Sequence, residues 1–147
     1  MTVFRITAAA ILLAALCSCA DDDTETILST KDIPTEIVEY VGTHFPDNPI
    51  STAIKEEERK SVSYEIFLQG GFELNFDGSF KIYDIDGATK LPDSVIPEAI
   101  LTYVSENYAE RSITDWELEH TYQQVELDNS IELEFQLDGT FMRIDND

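Results

Sequence analysis

Cysteine is nearly absent: Cys17 and Cys19 are the only two in 147 residues. Nothing after residue 19 can therefore close an intrachain disulfide or build a cysteine metal site, and the body of the chain must be held by its core. Basic residues are scarce as well. Nine Lys and Arg face thirty Asp and Glu, a formal charge of −21. Phosphate binding needs a basic face, so no nucleic acid partner is expected, and direct adhesion to anionic lipid is disfavoured. Such a charge suits solubility, cation-rich surroundings or a basic partner. Histidine occurs only at positions 44 and 120, which leaves little from which to assemble a nucleophilic triad. Long apolar runs are missing too: Ile6 to Leu16 is almost purely Ala, Ile and Leu, but a span needs roughly 20 apolar residues.

That short run has another reading. Arg5 precedes it, small residues follow it, and Leu16-Cys17-Ser18-Cys19 resembles the cleavage box of a bacterial lipoprotein. Residues 1–18 are then a secretion signal and Cys19 is the lipidated first residue of the mature chain. Each buried methylene contributes on the order of 0.8 kcal/mol, so two or three acyl chains hold such a protein essentially permanently. Asp21-Asp22-Asp23 follows at once, and resembles the surface-export signals of Bacteroidetes lipoproteins. The expected location is the outer membrane, lipid-anchored, on the periplasmic side or at the cell surface. Residues 19–31 read as an acidic tether. Loss of Arg5 with the leader takes the charge from −21 to −22.

The remainder repeats itself. Ile33-Pro34, Ile37, Tyr40, Val41, Phe45 and Ile50 recur 63 positions later as Ile96-Pro97, Ile100, Tyr103, Val104, Tyr108 and Ile113. Ile66, Leu68, Phe72, Leu74 and Phe76 recur 59 positions later as Val125, Leu127, Ile131, Leu133 and Phe135, and Asp77-Gly78 with Phe80 recurs 61 positions later as Asp138-Gly139 with Phe141. The boundaries this implies are 32–86 for the first repeat and 87–147 for the second.

Each repeat opens with a helix. Ile33, Ile37, Tyr40, Val41 and Phe45 fall on one helical stripe. Pro34 and Pro97 suit a first turn, where a missing N–H costs nothing, and Pro46 closes the first helix. Leu91-Pro92 offers an earlier start for the second helix, with a bend at Pro97. Strands follow. Tyr64, Ile66 and Leu68 alternate with Glu65 and Phe67, and Phe72, Leu74 and Phe76 with Glu73 and Asn75, the period-2 pattern of a half-buried strand. Gly70-Gly71, Asp77-Gly78, Asp128-Asn129 and Asp138-Gly139 mark hairpin turns. Further strands are expected near Ile50 to Glu56 and Ile113 to His120, with residues 84–90 linking the halves. The fold class is α+β: two tandem repeats, each a helix and about four antiparallel strands.

The pattern Ile-Pro, an aliphatic, Phe-Pro, then Tyr-Glu-Ile-x-Leu, a turn and Phe-Asp-Gly resembles the PepSY-like lipoproteins of Bacteroidetes, which are also similar to β-lactamase-inhibitor proteins. Here it is carried by Ile33, Pro34, Ile37, Phe45, Pro46, Tyr64, Glu65, Ile66, Leu68, Phe76, Asp77 and Gly78, and in the second copy by Leu91, Pro92, Ala99, Ile100, Tyr103, Asn107, Tyr108, Trp116, Glu117, Val125, Leu127, Phe135, Asp138 and Gly139. Ala109 in place of proline, and Gln123 opposite Tyr64, depart from it. The resemblance implies one continuous curved sheet with helices on one face, and an inhibitory or protein-binding role outside the inner membrane. It brings no catalytic motif.

Chemistry is hard to find in the residues themselves. His44 reads as a cation at a helix C-terminus, and His120 as a surface histidine among Glu117, Glu119 and Tyr122. Glu56-Glu57-Glu58 reads as a solvated strand end. Asp84-Ile85-Asp86-Gly87 could begin a calcium loop, but the twelfth position, where an EF-hand places glutamate, is Val95. No glycine-rich phosphate loop is present. No enzyme, cofactor or metal site is expected. Phe67, Tyr83 and Trp116 fall outside the helix-facing sets and are the candidates for an exposed aromatic surface that anchors a partner. The expected function is a non-enzymatic envelope module binding an unidentified protein or peptide, an inhibitor by occlusion in its sharpest form. The alternative is a surface module for glycans or cations.

Overall fold

The computed structural model describes residues 23–145. Its elements run β1 (Asp23–Ile27), α1 (Thr35–His44), β2 (Ile50–Glu58), β3 (Ser61–Leu68), β4 (Phe72–Asp77), β5 (Ile82–Gly87), α2 (Glu98–Asn107), β6 (Ile113–Leu118), β7 (Tyr122–Leu127), β8 (Glu132–Gln136) and β9 (Phe141–Asp145). The expected leader over 1–18 and the lipidation site Cys19 lie outside the described residues. The nine strands form one antiparallel sheet in simple sequence order. Among the described residues no helix is long and apolar enough to cross a membrane.

The helices begin where proline permits them to. Pro34 and Pro97 each sit at the N-cap in extended conformation, and Phe45 and Tyr108 close the last turns by donating N–H to Val41 and Val104 oxygens at 2.8 Å. Ile37 and Val41, and their counterparts Ile100 and Val104, are buried. The earlier start for the second helix is corrected. Asp93–Val95 forms a separate 3-10 turn, Ile96 is extended, and the helix starts afresh after Pro97. Two further expectations change. Residues 84–90 are not simply a linker, because Asp84 to Gly87 complete β5 and pair with β4. The tether contributes β1, which pairs along the acidic end of β2.

One row of core residues crosses both repeats. Ala53, Ile66, Leu74, Ile85, Trp116, Val125 and Leu133 are successive register partners from β2 to β8. All are buried, and each large aliphatic member contributes about 1.5–3 kcal/mol through its removal from water. The helices add matched aromatic contacts. Tyr40 of α1 meets Phe76 edge-on with ring centres 5.4 Å apart, and Tyr103 of α2 meets Phe135 edge-on, also at 5.4 Å. This is the favoured geometry for the ring quadrupoles.

The repeats align at an offset of 59 through their last two hairpins as well. Phe76 pairs with Ile82, and Phe135 with Phe141. Phe141 is therefore the counterpart of Ile82, and Gly139 that of Phe80, not of Gly78. Both turn residues are left-handed, Phe80 at φ 63 and Gly139 at φ 84. A Cβ on Gly139 would lie 2.6 Å from the Ala99 Cβ on α2. Glycine is needed there because the helix closes on the turn; in the first repeat the side chain of Phe80 instead packs near Tyr64, with ring centres 5.4 Å apart.

Candidate binding surface

Successive strand residues point to opposite sides, so the buried row fixes what lies on the other face. One line there reads, strand by strand from β3 to β9, Phe67, Glu73, Asp86, Asp115, Glu126, Glu132 and Asp145. Beside it, two residues along each strand, runs Glu65, Asn75, Asp84, Glu117, Gln124, Glu134 and Arg143. Neighbouring members of a line are about 4.8 Å apart, and the two lines are about 6.6 Å apart. Six consecutive strands thus carry a carboxylate in one register line. The sequence shows abundant acids; only the register shows that they align.

Four carboxylates of the two lines, Asp115, Asp84, Glu117 and Glu65, resist ionisation. Burial pushes the Asp115 carboxyl up to about 7, helped by Asp84, Asp86, Glu117 and Glu126. Burial raises Asp84 as well, against a hydrogen bond donated by Asn75 Nδ2 at 2.8 Å. Glu117 is raised by burial and then by Asp84 and Glu119, and Glu65 by burial and then by a hydrogen bond and charge from Glu73. Arg143 is the one cation in the two lines, and it holds buried Glu134 through two bonds of 2.8 and 2.7 Å. The acids lie in rows at strand spacing. Among the described residues no group of three His, Cys, Asp or Glu converges to hold a metal ion.

The candidate aromatics separate. Phe67 is half-buried on the acidic face, between Thr52 and Glu73. Tyr83 sits in the β4–β5 bulge, 36% exposed, and its hydroxyl is held protonated by burial and by Asp84, Glu56, Glu65 and Asp77. Trp116 is corrected. It is only 6% exposed, lies in the core row opposite Ile85 and Val125, and donates its indole N–H to Gln123 Oε1 at 3.0 Å. A bulge between Ile113 and Asp115 reverses the alternation, so residues three apart face the same side.

Other places offer less. His44 Nδ1 lies 2.9 Å from Ser94 Oγ, an exposed contact that ties the end of α1 to the turn before α2. His120 is exposed between β6 and β7. Two grooves sit at equivalent places beside the helices. The one by α1, about 420 Å³, is lined by apolar residues such as Ile27, Leu28, Val38 and Pro49. The one by α2, about 370 Å³, replaces several of them with Lys90, Asp93, Ser105 and Arg111. Neither His44 nor Ser94 lines them.

Comparison with known proteins agrees with the doubled architecture. The family model described as "Putative beta-lactamase-inhibitor-like, PepSY-like" matches twice, over residues 22–84 and 85–143. Among solved structures, a "putative calcium-regulated periplasmic protein" of Bacteroides thetaiotaomicron is 28% identical with a TM-score of 0.78, over 83% of this chain and 97% of that one. A "putative periplasmic protein from DUF2874 family" of Bacteroides vulgatus is 29% identical with a TM-score of 0.77, over 86% and 99%. A second Bacteroides vulgatus protein, described as periplasmic and of unknown function, shares the fold at 24% identity and a TM-score of 0.78, over 84% and 100%. No curated protein matches the chain. With two copies of the domain covering most of its length, the chain belongs to the PepSY-like, β-lactamase-inhibitor-like family.

Proposed function

We propose that the protein is a non-enzymatic envelope module whose acidic sheet face binds a basic protein or peptide segment and occludes it. In this reading both helices cover one side of a curved sheet and leave the other open. The observation that carries it is the register line from Phe67 through Glu73, Asp86, Asp115, Glu126, Glu132 and Asp145. Such a field speeds encounter with a basic partner, and Phe67 and Tyr83 supply apolar anchors at its edge. Isothermal titration with an oligo-arginine peptide is expected to give saturable binding at low salt, weakened about tenfold by Phe67→Ala. No saturable binding at low salt would sink the reading. A second reading is cation capture, favoured by the same carboxylates and by the description of the Bacteroides thetaiotaomicron neighbour as calcium-regulated. Saturable calcium binding, with the peptide inert, would establish it instead.

The same proposal places the protein on a membrane through acyl chains at Cys19. Metabolic labelling with palmitate is expected to mark the wild type and not Cys19→Ser; label in both, or in neither, removes the anchor.

A further inference from the structure

Within the sheet the two repeats meet along one pair of strands, β5 and β6, while His44 and Ser94 touch across them beside the helices. The β5–β6 ladder is short: Asp84 stands opposite Glu117, Ile85 opposite Trp116, and Asp86 opposite Asp115. Two of these pairs set carboxylate against carboxylate, an arrangement that weakens strand pairing. The flanking strands β4 and β7 bring no cation. From β4, Glu73 stands beside Asp86, and neutral Asn75 bonds Asp84. From β7, Glu126 stands beside Asp115, and neutral Gln124 beside Glu117. Glu119 lies farther along β6's exit and Glu132 one strand beyond Glu126. On the core side, Ile85 and Trp116 carry no charge. Arg143 stands three strands from β6 and is engaged by Glu134.

We propose that the β5–β6 seam is a charge-operated joint: its four facing carboxylates loosen the junction between the repeats when ionised, and protonation or dense counterions draw it closed. The direction of the titration agrees. Asp115 is held up to about 7, whereas a free aspartate ionises near about 4. Between those values the folded chain keeps a proton that the unfolded chain has lost. The seam is therefore unpenalised below about pH 4, and it weakens as pH rises toward the folded value. Asp84 and Glu117 shift in the same direction. Salt shortens the reach of exposed charges, so it acts in the closing sense.

Trp116 is the single tryptophan and lies in the seam, so its fluorescence reports the joint directly. In low salt, acrylamide quenching of the full chain is expected to rise about twofold between about pH 5.5 and about pH 8.5, with far-UV dichroism unchanged. High salt should suppress the rise. Asp115→Asn should keep Trp116 protected throughout, and Asp86→Asn should reduce the change, which keeps the test valid if one variant fails to fold. His120→Gln, a change in the exposed turn between β6 and β7 and outside the β5–β6 ladder, should leave the wild-type profile intact. A flat profile in the wild type, an undiminished rise in both Asp variants, or loss of the rise in His120→Gln would overturn the proposal.

Discussion

Phe135→Ala is expected to cost about 3–5 kcal/mol, as large-to-small changes do when a core cannot collapse around the gap. Phe135 is fully buried and meets Tyr103 edge-on at 5.4 Å and Phe141 at 5.8 Å. Tyr103 and Phe141 in turn stack with centres 4.4 Å apart. Removing the central ring takes a partner from both others and opens a gap beneath Tyr103 of α2. Phe76→Ala should behave alike, because Tyr40 reproduces the same edge-on contact in the first repeat. Urea denaturation followed by dichroism measures both losses. A loss below about 1 kcal/mol in either would mean that the rings do not pack as described.

Gln123→Leu is expected to cost about 2–4 kcal/mol despite adding an apolar side chain to the interior. Gln123 is 4% exposed. It accepts from Trp116 Nε1 at 3.0 Å and donates to the Leu137 oxygen at 3.0 Å. Leucine fills the space but strands a buried indole N–H and a turn carbonyl, and each unsatisfied group costs about 1–3 kcal/mol. The first repeat solves the same place differently, with Ala53 where Trp116 stands and Tyr64 where Gln123 stands. A large and a small residue have changed places across the strands. The double variant Trp116→Ala with Gln123→Tyr should recover part of the loss seen in either single change, measured as a coupling energy from denaturation midpoints. Strict additivity would show that the two positions are independent.

Why the sequence revealed the core and concealed parts of the surface follows from the same residues. Period-2 spacing of Tyr64, Ile66 and Leu68 and of Phe72, Leu74 and Phe76 tells inside from outside, and the structure buries those six residues and leaves Phe67 on the outer face. Alternation fails at bulges. Ile82 and Ile85, Ile113 and Trp116, and Phe141 and Ile144 are each three apart across a register shift, so Trp116 counts as outward in sequence and is inward in space. The strand β1 gives no alternating apolar signal, because Thr24, Glu25 and Thr26 are held by backbone pairing with β2 and are exposed, and Ile27 alone is apolar. The turn of the last hairpin misleads as well, since Asp138-Gly139 resembles Asp77-Gly78 in letters while Gly139 occupies the place of Phe80. Cross-strand alignment of acids is invisible to any reading along one strand, and the acidic face is made of that alignment.

The sheet is a pure meander, with each strand hydrogen-bonded to its neighbours in sequence. No strand must wait for a partner from the far end of the chain, and the widest gaps are the two spanned by helices. Loop-closure entropy is therefore met in small instalments, and low contact order of this kind accompanies fast folding. A polypeptide of this design can add hairpin to hairpin as it emerges from a narrow passage, the first repeat offering β5 as a template on which the second begins.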